Sequence, residues 1–573
     1  MSVRSIVLLL VALAVGVGAG VLLAGKDDDK DDKGGGGATT AAQAEFNPPA
    51  IPAKPFRDGL KFWEPPPVRS TGRPPNRRLR ARITAQNGVV DVSGLKVADT
   101  QTYSAEGPGG SAPPAFLGPT LHAEPGDTVE LTLDNKLTVP AGADPSKPAQ
   151  NAENCGDGPG HDTGHEEGAE TQAKPGDPEV TNLHFHGLHV TPRQVSPYGD
   201  TVLVRLPNGD SKFEFKIPET HDKGTFWYHS HVHRCTNDQV TRGLAGLLLI
   251  GDSRENLPEP LRDIETRSLA LKDVQVVPAK GEAPWKIDPA YNFTDSTHRT
   301  VNGLVNPKME IRPNETQLWR LLNASSAIWY QVVLVDESKG DARDRFTVVG
   351  QDGNPLIEPK EEDTLLIPPG ARFDILVRGP ATGQRKLKTL EFDQGFAKFP
   401  EDVLATVDVK GAPAERLPAP EKISAPTQRF PKERGPTRRF TFDIDLRDTQ
   451  FHISDTAFNP NINNADFDPG SPDATPILET TERWIIYNKS AEWHPFHIHQ
   501  DDFKVVKGGQ PQLPGDHDIV ALPPGTPTNP SVTEIDMPFT DFPGNFVFHC
   551  HILVHEDNGM MSLVELRERG HER

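Results

Sequence analysis

The chain has 573 residues, which is too long for a single hydrophobic core of ordinary size and suits about three domains. It contains 50 glycines and 56 prolines and little helical periodicity beyond its N-terminus, so an all-β, loop-rich fold is favoured over a helical one. The formal net charge of −21 argues against a nucleic-acid partner, whose backbone requires a basic surface.

The N-terminal segment, residues 1–25, contains an uncharged stretch from Ser5 to Gly25. This stretch is long enough to span a bilayer and also fits a secretory signal, so a retained membrane anchor and a cleaved signal are both open. The acidic run KDDDKDDK that follows carries little of the positive charge expected on the cytoplasmic side, and we expect the rest of the chain to be extracytoplasmic. Residues 26–77 are interpreted as a tether and N-terminal extension.

An internal repeat organises the remainder of the chain. Three segments each show a small turn, an alternating apolar run and an exit that contains asparagine: residues 124–137, 312–325 and 478–490. Alternation with a period of two, bounded by turn residues, predicts a half-buried strand in each segment. Three copies predict three similar β-sandwich domains.

Composition and flanking strands place the domain boundaries. The first domain is predicted over residues 78–251 and the second over residues 252–411. A Pro- and Lys-rich linker is predicted over residues 412–438, and the third domain over residues 439–573.

One connection in the first domain, residues 138–179, is long, rich in Gly, Pro and acidic residues, and without a strand pattern. It contains His161 and His165. We interpret it as a solvated insertion, with transient metal binding as the alternative.

Four histidine motifs lie in the first and third predicted domains. Histidines two apart on a strand face the same way, so both rings can reach one metal ion or two adjacent ions. Ten of the 20 histidines fall in these motifs, and no structural role explains such clustering. The second domain contains none of them and is interpreted as a spacer, so ligands from the outer domains must meet across an interface. The motifs are HFHG (His184, His186), HSH (His229, His231), HPFHIH (His494, His497, His499) and HCHILVH (His549, His551, His555).

The last motif also contains a cysteine, Cys550, in a predicted strand over residues 546–552. A thiolate, imidazoles and a weak axial thioether are the ligands of a trigonal copper site, and Met560 has the suitable spacing, with Met561 as the competing candidate. Because neighbouring residues of a strand face opposite sides, the flanking histidines would contact a second metal site.

The other two cysteines, Cys155 and Cys235, remain as a pair. Export would permit a disulfide between them, which we favour, and two unpaired thiols are the alternative.

These four motifs resemble those of the multicopper oxidases, a family that includes laccases, bilirubin oxidases, cuprous oxidases and ferroxidases. The resemblance extends from about residue 78 to the end of the chain, and HCHILVHEDNGMM is similar to the corresponding stretch of bacterial laccases. It implies three cupredoxin-like Greek-key β-sandwich domains and four copper ions. The implied ligands are His494, Cys550, His555 and axial Met560 for the type 1 copper; His184 and His497 for the type 2 copper; His186, His229 and His551 for one type 3 copper; and His231, His499 and His549 for the other.

The resemblance also implies a reaction. Electrons from a small reducing substrate would pass through Cys550 and its neighbours to the three-copper cluster, where O2 is reduced to water. Two acids match residues that supply protons in the family, Glu556 and Asp200. The alternative for each is an ordinary surface carboxylate.

Three functions are compatible with this pattern. We favour a laccase-like oxidase of phenols and aromatic amines; the runner-up is a metallo-oxidase acting on Cu(I), Fe(II) or Mn(II), and the third is a non-enzymatic structural relative. The complete ligand set argues against the third. Only five methionines are present, which weakens a dedicated cuprous oxidase, whereas the acidic balance leaves iron and manganese open. The oligomeric state is not predicted.

Overall fold

The fold is taken from a computed structural model that describes residues 55–139, 176–280, 283–288, 297–395, 397–424, 430–445, 450–455, 472–510 and 513–570. Strands dominate the described residues, and the two α-helices among them are short: α1, Thr236–Arg242, and α2, Leu553–Asp557. The predicted all-β fold is therefore confirmed.

Ten strands lie in the first predicted domain and its N-terminal extension: β1 Pro67–Arg69, β2 Arg78–Val92, β3 Leu95–Gly107, β4 Gly110–Ala112, β5 Gly118–Ala123, β6 Thr128–Lys136, β7 His184–His186, β8 Gly209–Lys216, β9 Gly224–His229 and β10 Ala245–Ile250. Strands β1, β5, β10, β9 and β7 form one sheet in that order.

The second predicted domain contains β11 Glu265–Pro278, β12 Trp285–Ile287, β13 Thr297–Val301, β14 Lys308–Ile311, β15 Thr316–Asn323, β16 Tyr330–Asp336, β17 Ala342–Asp344, β18 Phe346–Gln351, β19 Asn354–Glu362, β20 Leu365–Ile367, β21 Arg372–Arg378, β22 Gln384–Leu390, β23 Phe392–Asp393, β24 Lys398–Phe399 and β25 Asp402–Val409. Strand β12 pairs in parallel with β3, so strands of the first and second domains join in one 12-stranded sheet.

The third predicted domain contains β26 Arg434–Asp445, β27 Gln450–Asp455, β28 Thr480–Asn488, β29 His494–Ile498, β30 Lys504–Lys507, β31 Ile519–Leu522, β32 Ser531–Phe539, β33 Gly544–Cys550 and β34 Met561–Leu566. They form a five-stranded sheet, β27-β26-β28-β32-β30, and a four-stranded sheet, β31-β29-β33-β34. Strand β26 begins inside the predicted linker.

The three repeat segments become strands β6, β15 and β28, and each has the same kind of neighbours. Strand β6 pairs in parallel with β2 and antiparallel with β8. The corresponding neighbours are β11 and β21 for β15, and β26 and β32 for β28. The shared pairing pattern is the structural basis of the repeat.

Separate apolar clusters fill the three regions. One contains Tyr228, the second contains Trp319 and Leu321, and the third contains Trp484 and Cys550. Trp319 and Leu321 therefore lie in a sheet core, as the sequence predicts.

The prediction of a half-buried strand is wrong for β15, which is buried along its whole length. Its remaining face packs on the first domain, where Leu322 shares a buried cluster with Trp227 and Leu247. Such contacts between distant segments override the alternation that a single strand displays.

The second half of the predicted N-terminal extension is also packed against the rest. Strand β1 pairs with β5, and the Glu64 carboxylate accepts a hydrogen bond of 2.6 Å from the Ser268 N–H. Phe56 belongs to a buried cluster with Val92 and Val276. Residues 56–77 thus contact both the first and the second domain.

Several predictions concern residues outside the described part of the chain: the segment 1–25, most of the tether, Cys155, and the insertion with His161 and His165. Among the described residues, no helix is long and apolar enough to cross a membrane. Cys235 is disulfide-bonded, so the alternative of a free thiol is wrong for this residue.

Candidate metal centre

The histidine motifs converge because two strand pairs bring their ends together. In the first domain β7 pairs with β9, which sets His184 opposite His229. In the third domain β29 pairs with β33, which sets His497 opposite His549. All ten motif histidines are buried.

Strand β33 differs from its predicted bounds, since it begins at Gly544 and ends at Cys550. The chain then turns into α2, and the His551 N–H donates a hydrogen bond of 2.8 Å to the Pro495 carbonyl. His551 thus reaches the histidine cluster from a turn rather than from the strand.

The cysteine site joins three buried side chains of the third domain. The Cys550 Sγ lies 3.5 Å from the His494 Nδ1 and 3.7 Å from the His555 Nδ1. Met560 shares the apolar cluster of Cys550, whereas Met561 packs in another cluster with Val547 and Leu563. This arrangement favours Met560 over Met561 as the axial ligand.

The outer nitrogens of these two histidines have partners of their own. The Ser490 Oγ lies 2.6 Å from the His494 Nε2, and the Glu492 Oε2 lies 3.7 Å from the His555 Nε2. Both Nδ1 atoms are therefore directed at the sulfur, as ligands of one ion with the thiol must be. Burial raises the pKa of the Cys550 thiol, and a metal ion would be needed to hold the thiolate.

The other eight histidines form a second cluster. The Nε2 of His549 lies 3.2 Å from that of His231 and 3.3 Å from that of His499, so these three rings point at one place, as the resemblance implies. The rings of His184 and His499 stack at 4.0 Å between centroids, and those of His186 and His497 at 3.9 Å.

The remaining implied groupings are also neighbours. The centroid of the His186 ring lies 5.0 Å from that of His551 and 6.0 Å from that of His229. His184 and His497 lie with His499 in a group whose ligand atoms are within 4.8 Å of one another. All the predicted ligand histidines are thus assembled, while the division of the eight among individual ions stays a prediction.

Hydrogen bonds orient the rings of this second cluster. Nδ1 of His184 lies 2.9 Å from the Asp200 Oδ1, Nδ1 of His229 lies 2.8 Å from the Ser230 carbonyl, and Nδ1 of His497 lies 2.9 Å from the Asp518 carbonyl. These contacts leave the opposite nitrogen of each ring free to bind a metal ion.

Whether a metal ion fits this cluster can be tested on the histidine nitrogens that do not take part in these hydrogen bonds. Buried polar atoms normally have a hydrogen-bond partner. Imidazole nitrogens that lack one in a buried cluster are suited to copper, and so is the histidine and thiolate set beside them. Within the described residues, the buried Nε2 atoms without a hydrogen-bond partner include those of His184, His186, His229, His497 and His551.

The protonation state of the cluster also fits a metal. Burial, with the neighbouring histidines, holds the pKa of His184 and His231 well below the usual range. Burial also lowers the pKa of His229 to about 3 and that of His549 to about 4. The rings are therefore neutral at physiological pH, which metal binding requires.

The two predicted acids both contact this cluster. Asp200 lies against His184, and it also accepts a hydrogen bond of 3.0 Å from the Phe185 N–H. The Glu556 Oε1 accepts a hydrogen bond of 3.0 Å from the Thr236 hydroxyl. Burial raises the pKa of both carboxyl groups well above the ordinary range, so each is suited to hold a proton.

The second domain also reaches the histidine cluster, through its Arg372. The Arg372 Nη1 lies 3.2 Å from the His186 Nδ1, and the guanidinium binds both oxygens of Asp518 at 2.7 Å. A Cβ on Gly187 would lie 2.4 Å from the Arg372 Nη2, which explains the glycine of the HFHG motif. Arg372 is not among the site residues predicted from the sequence. The signal that could have identified it is an arginine at the start of an apolar strand, since a buried charge requires a partner.

A group of aromatic side chains lies beside the cysteine site. The rings of Trp329 and Phe392 stack at 5.2 Å, and that of Trp493 lies 5.9 Å from Phe392. The Gln394 side chain donates hydrogen bonds to the Glu492 carboxylate at 3.1 Å and to the Trp493 carbonyl at 3.0 Å. The Glu492 carboxylate therefore adjoins the outer edge of His555, and Gln394 links it to the backbone of Trp493.

Known proteins are similar to this chain in sequence and in fold. A family model described as multicopper oxidase matches residues 441–569, and a second with the same description matches residues 176–255. The chain is 27% identical over 459 residues to the multicopper oxidase mco of Staphylococcus epidermidis, which covers 79% of this chain and 82% of the relative. It is 27% identical over 528 residues to a laccase of Haloferax volcanii, which covers 87% of this chain and 84% of the relative.

A solved structure from Campylobacter jejuni, described as a multicopper oxidase and metallo-oxidase, matches with a TM-score of 0.66 and 22% identity. The match covers 90% of this chain and 96% of that one. This likeness confirms the predicted cupredoxin-like fold.

Proposed function

We propose that the chain is a multicopper oxidase, a copper-dependent oxidoreductase with O2 as electron acceptor, and that it is a laccase-like oxidase of phenols and aromatic amines. The single observation that supports this substrate class is the Glu492 carboxylate at the outer edge of His555, which Gln394 links to a group of aromatic side chains.

In this proposal the cysteine site holds the type 1 copper and the eight-histidine cluster holds the type 2 copper and the type 3 pair, with the ligands that the resemblance implies. Copper bound in these places supplies the one-electron redox chemistry of the reaction. His549 and His551 flank Cys550 in the chain, so a few covalent bonds join the two sites.

Side chains near the cysteine site are suited to bind an aromatic substrate. Phe392 and Trp493 are half-buried and offer flat apolar surfaces to an aromatic ring. The Glu492 carboxylate lies 3.7 Å from the His555 Nε2 and accepts a hydrogen bond from Gln394, which fixes its position. A phenol hydroxyl or an aromatic amine would donate a hydrogen bond to this carboxylate.

The protein's own groups also supply protons on the oxygen side. Reduction of O2 to water consumes protons, and Glu556 and Asp200 are buried carboxyl groups that contact ligand histidines. We assign to both the role of holding a proton at the cluster and releasing it during turnover.

The second candidate function is a metallo-oxidase. A carboxylate such as that of Glu492 is also a suitable ligand for Fe(II) or Mn(II), and the C. jejuni protein is described as a metallo-oxidase. Cu(I) is less favoured, because it prefers thioether ligands and the chain has only five methionines.

We also propose that the enzyme acts outside the cytoplasm, exported or anchored through residues 1–25. The uncharged length of this segment supports the proposal. Protease treatment of intact cells that express the full chain tests it: digestion supports the proposal, and protection until lysis contradicts it.

Oxygen uptake by the purified copper-loaded protein tests the substrate class, with 2,6-dimethoxyphenol, an aromatic amine, Cu(I), Fe(II) and Mn(II) as separate donors. We expect uptake with the two organic donors. Glu492→Gln should lower kcat/KM for the phenol roughly 10-fold, because a neutral amide oxygen is a weaker hydrogen-bond acceptor than a carboxylate. The matched control is Glu391→Gln, which removes a carboxylate next to Phe392 that pairs with Lys398 instead. Uptake with metal ions alone would select the metallo-oxidase.

A further inference from the structure

Arg372 is a buried charged residue whose side chain contacts segments from all three predicted domains. It begins β21 in the second domain, and its guanidinium is inaccessible to solvent. Its Nε donates to the Thr225 carbonyl of the first domain at 3.2 Å, and its Nη2 donates to the Asp352 carbonyl of its own domain at 2.8 Å. The two bonds to Asp518 reach the third domain.

The ion pair of Arg372 and Asp518 touches two histidines of the cluster. The Asp518 Oδ2 lies 3.7 Å from the His186 Nδ1, and the Asp518 backbone carbonyl lies 2.9 Å from the His497 Nδ1. His186 comes from the first domain and His497 from the third. One ion pair thus lies next to histidine rings from both the first and the third domain.

The chemistry of the donors decides how the pair acts on His186. A guanidinium only donates hydrogen bonds, so it cannot accept the Nδ1–H of a ring that binds a metal through Nε2. The Asp518 Oδ2, at 3.7 Å from Nδ1, lies beyond hydrogen-bond distance, and its negative charge favours the tautomer that carries the Nδ1 proton. Two parallel bonds from a planar fork restrict this carboxylate to one orientation.

We propose that Arg372 is a positioning residue for the copper cluster: it holds Asp518 so that His186 and His497 direct their Nε2 atoms into the site. This inference rests on the proposed ligand assignment of these two histidines. The second domain thereby takes part in the metal site without contributing a ligand.

The test compares Arg372→Met and Arg372→Lys in the full copper-loaded chain. Bound copper is measured per chain, a chelator titration measures how tightly it is held, and paramagnetic resonance separates copper held by histidines from copper at the cysteine site. We expect copper in the histidine cluster to be held roughly 10- to 100-fold more weakly in Arg372→Met, with the visible absorption of the cysteine site unchanged. Arg372→Lys keeps the charge but not the planar fork, so it should restore only part of the affinity.

The matched control is Arg320→Met. Arg320 is also a buried arginine of the second domain, but its partners, Asp252 at 3.2 Å and Ser253 at 3.4 Å, belong to its own domain. Equal copper loss in both methionine variants would show that removing either buried arginine of this domain weakens copper binding, and an unchanged affinity in Arg372→Met would also overturn the proposal. If Arg372→Met does not fold, Asp518→Asn takes its place and should weaken the same copper selectively.

The wild-type measurement separates this proposal from the ligand assignment. A wild-type chain that binds no copper at the histidine cluster would overturn both. A wild-type chain that fills the cluster, with variants that fill it equally tightly, would overturn only the role of Arg372.

Discussion

The Oε1 atom of Glu556 lies 3.3 Å from the Nδ1 of His231. The two residues come from the third and first domains, and the other oxygen of Glu556 lies 3.2 Å from the Nδ1 of His549. Asp557, the next residue, accepts hydrogen bonds from the N–H groups of Thr236 and Asn237 at the start of α1. Hydrogen bonds between α1 and α2 therefore hold the Glu556 carboxyl group against the histidine cluster.

Replacing Glu556 by Gln should lower kcat for O2 consumption roughly 10²- to 10⁴-fold, since a positioned proton donor is removed. Substrate should reduce the cysteine site at the wild-type rate in the absence of oxygen. The loss of visible absorption monitors this reduction. Stopped-flow absorption measures that step and oxygen uptake measures turnover. Glu565→Gln, which changes a carboxylate that pairs with Arg567, is the control. An unaffected kcat would show that Glu556 supplies no proton.

Replacing Cys550 by Ser should abolish the visible absorption and substrate oxidation and remove about one copper ion per chain, because the thiolate ligand is lost. The histidine cluster does not include the sulfur, so its copper should remain. Metal analysis and paramagnetic resonance measure the two sites separately. A variant that remained blue would contradict the assignment of Cys550.

Replacing Met560 by Leu should raise the reduction potential of the cysteine site, because loss of a weak donor destabilises the oxidised metal more than the reduced metal. A tenfold change in relative stability of the two states corresponds to about 59 mV. Met561→Leu is the matched control, since Met561 packs with Val547 and Leu563. Redox titration distinguishes the two variants, and a shift confined to Met561→Leu would reverse the axial assignment.

The histidine and cysteine positions could be predicted from the sequence because close spacing in the chain is a local property that keeps neighbouring rings together, even where His551 lies in a turn and not in its predicted strand. The role of Arg372 could not, since its partners Thr225 and Asp518 are about 150 residues away in either direction. The same limit explains β15, whose second buried face exists only because the first domain packs against it.

Glu179 supports a prediction about stability and pH. Burial raises its pKa from 4.5 to about 8, and its two oxygens accept hydrogen bonds from Gln101 and Gln239. Between these pH values the native protein retains a proton that the unfolded chain has lost, so this group's contribution to stability falls as pH rises from 4.5 to 8. Above pH 8 the free-energy cost of ionising the buried Glu179 carboxyl group is fully present.

Glu179→Gln cannot ionise, so its stability relative to wild type should increase across this pH window and then level off, by a few kcal/mol in total. The Gln101 Oε1 has no hydrogen-bond partner and can accept one from the new amide if the Gln101 side chain flips. Calorimetric Tm values at pH 5, 7 and 9 measure the difference, with exposed Glu219→Gln as control. A Tm difference between Glu179→Gln and wild type that does not vary with pH would contradict the raised pKa of Glu179.

The ratio of substrate oxidised to O2 consumed tests the central claim most directly. With a one-electron phenol donor and copper-loaded protein, the account predicts four donor molecules oxidised for each O2 and no accumulation of hydrogen peroxide, because both metal sites act together in reducing O2 to water. Two donors per O2 with stoichiometric peroxide, or no oxygen uptake with any donor, would contradict it.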